Sequence, residues 1–80
     1  MIIRVKLRDT LKSRARANLP DPGPGEMTLP AGATVNDLVL KLGLEKELIG
    51  LIVVNKRQRG YEDKLQDGDL VELFSPMAGG

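Results

Sequence analysis

The stretch Gln66-Asp67-Gly68-Asp69-Leu70-Val71-Glu72-Leu73-Phe74 decides the fold. Gln66 to Asp69 reads as a tight turn, because glycine supplies turn angles and aspartate bonds its own backbone. Residues 70–74 then alternate as a strand. If Val71 and Leu73 face a core, Leu70, Glu72 and Phe74 lie on the opposite face. After the strand come Ser75-Pro76-Met77-Ala78 and then Gly79-Gly80, the last two residues of the sequence. Glycine lacks a Cβ, so a Gly-Gly end can thread a channel too narrow for side chains. Such an end offers its own carboxylate as a chemical group.

The other elements tell what this strand can pair with. Ile3, Val5 and Leu7 alternate with Arg4, Lys6 and Arg8, so residues 2–8 read as a strand with one buried and one solvated face. Residues 9–19 are polar and weakly patterned. Pro20-Asp21-Pro22-Gly23-Pro24-Gly25 reads as a stiff loop. Residues 26–29 alternate again and predict a second strand, antiparallel to the first. Thr34 is a good N-cap with Asp37 three residues on, in the manner of a capping box. Val35, Leu38, Val39 and Leu42 form one apolar stripe on a helix over 35–42, closed by Gly43. Residues 44–50 read as a short irregular helical turn. Leu51-Ile52-Val53-Val54 is a continuous apolar run, expected of a strand covered on both faces or lying within a sheet. Tyr61 is a candidate for a short fourth strand.

The order is β-β-α-β-(β)-β, which fits neither a helix bundle nor a doubly wound sheet. One helix crosses one face of a mixed sheet of four or five strands, and the last strand pairs parallel with the first at its centre. This is an α+β fold of the β-grasp type. The expected core is the helix stripe with Ile3, Val5, Leu7, Met27, Leu29, Val53, Val71 and Leu73. Residues 1–74 form the domain, and residues 75–80 form a flexible leash.

Composition removes several function classes. Eighty residues make one small domain with a thin core. With no cysteine and no histidine, the chain has no thiolate nucleophile and lacks the usual general base and metal ligand. No metal site and no catalytic residue in the enzymatic sense is predicted. No apolar run is long enough for a membrane span and no signal-peptide core is visible, which makes the cytoplasm the expected location. The charge is uneven. Residues 1–18 carry six basic residues against Asp9, a net +5, and residues 19–80 carry six basic against ten acidic, a net −4. Such a basic segment can signal nucleic acid, but only Tyr61 and Phe74 could stack on bases, so RNA binding is a poor fit.

The run from Leu65 through Asp67-Gly68-Asp69 and the alternating strand to Gly79-Gly80 resembles the C-terminal signature of the MoaD/ThiS sulfur-carrier family, ubiquitin-like β-grasp proteins. Leu29-Pro30-Ala31-Gly32-Ala33-Thr34-Val35 is similar to the family's entry into its helix, and Val53-Val54-Asn55 to its third strand. The family often has Asn-Gly where this chain has Asn55-Lys56, and residues 9–25 are not placed against any part of it. The resemblance implies that an E1-like enzyme adenylates the Gly80 carboxylate with ATP. A sulfur donor, such as a persulfide enzyme, then displaces AMP to leave a thiocarboxylate that supplies sulfur to a cofactor precursor. It implies no bound cofactor, only these transient covalent states. The implied partners are the adenylating enzyme, the sulfur donor, and either a pterin-synthase large subunit or a thiazole synthase. Ser75-Pro76 leans toward the molybdopterin or tungsten-pterin branch over the thiamine thiazole branch. Gly79 and Gly80 would carry the sulfur, with Phe74, Leu70, Met77 and Ala78 at the partner interface. The cations Arg4, Lys6 and Arg8 would meet an acidic partner surface. A ubiquitin-like modifier conjugated through Gly80 stays open as an alternative, as does an RNA-binding module.

Overall fold

A computed structural model describes residues 1–8, 11 and 24–76. The elements are β1 (Ile2–Leu7), β2 (Gly25–Thr28), α1 (Val35–Leu42), a 3-10 turn (Lys46–Leu48), β3 (Leu51–Val54), β4 (Arg57–Gln58) and β5 (Leu70–Phe74). The sheet order is β2-β1-β5-β3-β4. β1 and β5 run parallel, with Val5 opposite Val71 and Leu7 opposite Leu73. The remaining neighbours are antiparallel. The last strand therefore takes the centre, as the β-grasp order requires.

The helix forms where its local chemistry places it. The Asp37 N–H donates to Thr34 Oγ1 at 3.3 Å, and the Thr34 N–H donates to Asp37 Oδ2 at 2.9 Å. This reciprocal box satisfies two donors that a helix start otherwise leaves open. Gly43 ends the helix in the left-handed region at φ 73°. Val35, Leu38, Val39 and Leu42 are all buried. They pack against Ile3, Val5, Val71 and Leu73 on one face of the sheet.

The β3 strand corrects the sequence reading of the core. Ile52 and Val54 face inward, while Val53 points to the other face and is half-buried. The register gives the reason. Ile52 stands opposite Leu73 and Val54 opposite Val71, and directly paired residues share a face. An unbroken apolar run carries no alternation, so it cannot reveal which parity faces inward. β3 does lie within the sheet, but its second face is not covered: Leu51 is 37% exposed. Leu7 is half-buried against the edge of the core, not inside it. The first strand ends at Leu7 and the second spans Gly25–Thr28, one residue from the expected bounds. The fourth strand is Arg57–Gln58, and Tyr61 lies in the following turn. Within 9–19, Leu11 is described and fully buried, a core residue that its polar surroundings hid.

Candidate functional site

The sheet face away from the helix, and the end of β5 where residues 75–76 follow, hold the described candidate residues. The turn before β5 is pinned from three sides. Asp69 Oδ2 accepts from the Gln66 N–H and Asp69 Oδ1 from Asn55 Nδ2, each at 2.8 Å. Asn55 Oδ1 accepts from the Leu70 N–H at 3.0 Å. The Gly68 N–H donates to Ile2 O at 2.8 Å. These bonds fix where β5 enters the sheet, and its pairing with β1 and β3 fixes where it leaves. At the exit Leu51 stands opposite Phe74. The Gly50 N–H donates to Phe74 O at 2.8 Å.

Alternation places Leu70, Glu72 and Phe74 on the outer face, but the three differ. Leu70 and Phe74 are half-buried, whereas Glu72 is only 4% exposed. A carboxylate at the middle of an open sheet face is covered by its own partners. Arg8 Nη2 lies 3.0 Å from Glu72 Oε2, and Lys56 Nζ lies 3.4 Å from Oε1. Burial pushes the Glu72 carboxyl up. The hydrogen bonds and charges of Arg8 and Lys56 outweigh that and hold it below the usual carboxylate range. Arg8 also places its guanidinium carbon 5.6 Å from the centre of the Phe74 ring, within cation–π range. Phe74 does not turn inward to cap the core.

The basic face of β1 is therefore not uniform. Arg4 is exposed and Lys6 half-buried. Arg8 is committed to Glu72 and Phe74, so the three cations of this face are not equivalent. Sequence reasoning missed the Glu72 clasp. The available signal was Glu72 itself, one acid on a face where the neighbouring β1 presents Arg4 and Lys6, with Arg8 just past its end. Met77, Ala78, Gly79 and Gly80 lie outside the described residues.

Elsewhere, a shallow cavity of about 730 Å³ is lined by Thr34, Asn36, Lys46 and residues 60–63. Lys46 Nζ sits 4.8 Å from the centre of the Tyr61 ring. Burial, and then the charge of Glu47, push the Tyr61 hydroxyl up, so it stays protonated near neutrality. Among the described residues no group of three acidic, histidine or cysteine side chains could hold a metal ion. No described helix is long and apolar enough to cross a membrane.

Comparison with known proteins agrees with this fold. The model of the ThiS family matches residues 21–80. A solved structure from Pyrococcus furiosus, a candidate molybdopterin converting factor subunit 1, is 27% identical with a TM-score of 0.69. The alignment covers 95% of this chain and 98% of that one. SAMP1 from Haloferax volcanii is 23% identical with a TM-score of 0.70 over 100% of both chains. A chain from the complex of subunits 1 and 2 of molybdopterin-converting factor from Helicobacter pylori 26695 is 20% identical, TM-score 0.56, again over 100% of both chains. The last two likenesses speak for the fold alone. No curated protein is significantly similar in sequence.

Proposed function

The chain belongs to the ThiS family, and from that premise we propose that it is a sulfur carrier whose Gly80 carboxylate becomes a thiocarboxylate. The single observation that carries this reading is the family match running through the central strand to Gly79-Gly80. The β-grasp sheet supports it physically. β5 is held between β1 and β3, so the chain leaves the domain from a rigid central strand.

The chemistry is that of an activated carboxylate. One oxygen of the Gly80 carboxylate attacks the α-phosphorus of ATP, and pyrophosphate leaves. The resulting acyl adenylate carries a good leaving group. The terminal sulfur of a persulfide attacks the acyl carbon, and AMP leaves. A second thiol reduces the acyl disulfide, releasing the thiocarboxylate and forming a new disulfide with the donor. A thiocarboxylate is ionised at neutral pH and is a soft nucleophile toward a cofactor precursor. This chain contributes the carboxylate and the docking surface, and the catalytic groups belong to its partners. A sequence without cysteine or histidine suits such a role, since no internal thiol can attack the activated terminus. We assign the docking surface to Phe74, Leu70 and the exposed Leu51 on the outer face, with Arg4 and Lys6 beside them. The 27% identity to the Pyrococcus furiosus protein favours a pterin-cofactor pathway, with a pterin-synthase large subunit as the sulfur-receiving partner.

ATP–pyrophosphate exchange by the host organism's E1-like adenylating enzyme tests this. Exchange should depend on the full chain and vanish when Gly80 is removed. Exchange that persists without Gly80 would refute the reading.

A further inference from the structure

Gly50 stands one residue before β3, and its backbone lies against the start of the leash. A Cβ placed on Gly50 would sit 2.5 Å from Pro76 Cα, 2.8 Å from Pro76 N and 3.1 Å from Ser75 O. All three are backbone atoms, so no side chain can swing away to make room. Gly50 does not have a positive φ. Its requirement is space alone.

We infer that Gly50 is a positioning residue for the terminal carboxylate: by lacking a side chain it seats Ser75-Pro76 against the entrance of β3 and sets the direction in which the leash leaves the sheet. This rests on the carrier reading above. The surroundings decide which side would yield to a methyl group. Leu51 is paired with Phe74, and the next pair, Ile52 with Leu73, is buried. The Gly50 N–H is bonded to Phe74 O. The sheet side is therefore held, and the Pro76 backbone, which the added Cβ meets most closely, is the part that shifts. Ordinary contact begins at 3.4 Å, so Pro76 Cα would retreat by about 0.9 Å. Pro76 lies two residues beyond the last paired residue and Gly80 six. At ~3.4 Å per extended residue, a tail held straight in an enzyme channel would magnify the shift to about 2.7 Å at its end. Proline fixes φ at residue 76, which leaves one torsion fewer there to absorb the error. Misplacing a reacting group by about 1 Å can cost up to about a hundredfold in rate.

The test compares the full-length wild type with Gly50→Ala, Pro76→Gly and the double variant in ATP–pyrophosphate exchange, alongside thermal unfolding of each. Gly50→Ala should lower kcat about tenfold or more with KM unchanged, because the outer sheet face is untouched, and should leave Tm near that of wild type. Pro76→Gly should restore much of the loss in the double variant, because the freed φ lets the chain turn back. Independently of any enzyme, the free wild-type protein should show nuclear Overhauser effects between the Gly50 and Pro76 α-protons. Wild-type turnover in Gly50→Ala, a loss of turnover matched by a collapse in Tm, or absence of the Gly50–Pro76 contact would each overturn the inference. Failure of the wild type itself to support exchange would instead strike the carrier reading, while the proton contact would still decide whether the seat exists.

Discussion

Replacing Phe74 by alanine separates an outer-face anchor from a core residue, and the structure sets the size of the effect. Fully burying a phenylalanine side chain contributes up to about 3 kcal/mol. Phe74 is half-buried, so its transfer contribution is about 1–1.5 kcal/mol by the same scale. Loss of the Arg8 contact, 5.6 Å from the ring centre, adds about 0.5 kcal/mol at an exposed site. No closed cavity forms, because the ring borders solvent. The cavity penalty that raises core Phe→Ala substitutions to about 3–5 kcal/mol is absent. The expected cost is therefore about 1.5–2 kcal/mol, read from urea unfolding as a lower midpoint with an unchanged m-value. The same variant should raise KM for adenylation about tenfold or more, as loss of a central aromatic anchor does. A stability loss of about 3 kcal/mol or more would place the ring in the core and refute the outer-face reasoning. An unchanged KM would refute the anchor.

Three other perturbations follow from the same geometry. Because Glu72 has a depressed carboxyl pKa when folded, the unfolded chain takes up the proton first as pH falls. Its contribution is full above the ordinary carboxylate value of about 4.3 and is lost as pH drops through the lower folded value. Glu72→Gln should flatten that acid limb in urea midpoints measured against pH, and an unaltered limb would remove Glu72 as its source. Thr34→Ala breaks the capping box of α1 and should cost about 1 kcal/mol in the same unfolding assay, a loss below about 0.3 kcal/mol arguing against the box. Reversing Arg4 and Lys6 to glutamate, with Arg8 left in its clasp, should slow association with the adenylating enzyme. The wild-type on-rate should itself fall with rising salt, and an on-rate indifferent to the reversal would reduce both cations to solvated surface.

Much of the fold was readable because each reading rested on local chemistry. Ile3 and Val5 alternate with cations on a strand whose other face meets water. Val35, Leu38, Val39 and Leu42 recur at helical spacing, and Thr34 and Gly43 mark the ends. What stayed hidden depends on contacts between distant segments. Val53 was misplaced because β3 offers no polar residue to show its parity, which is set by the Ile52–Leu73 pairing. Leu11 looked like part of a polar stretch, yet it is buried. Glu72 looked like an exposed strand residue, and only the approach of Arg8 and Lys56 shows it as a covered carboxylate. The candidate site was legible in its position along the chain, through the Asp-Gly-Asp turn, the alternating strand and Phe74. Its electrostatics were not. Arg8 could not be told from Arg4 and Lys6 by spacing, and the restriction at Gly50 comes from residue 76, a neighbour only in three dimensions.

The most direct test of the central claim is an intact mass of the full chain after incubation with the adenylating enzyme, ATP, a persulfide donor and a reducing thiol. The wild type should gain the mass of one sulfur-for-oxygen exchange, located by fragmentation to Gly80 and absent from a chain lacking Gly80. No exchange in the wild type under conditions that support ATP–pyrophosphate exchange, or an equal exchange without Gly80, would contradict the account.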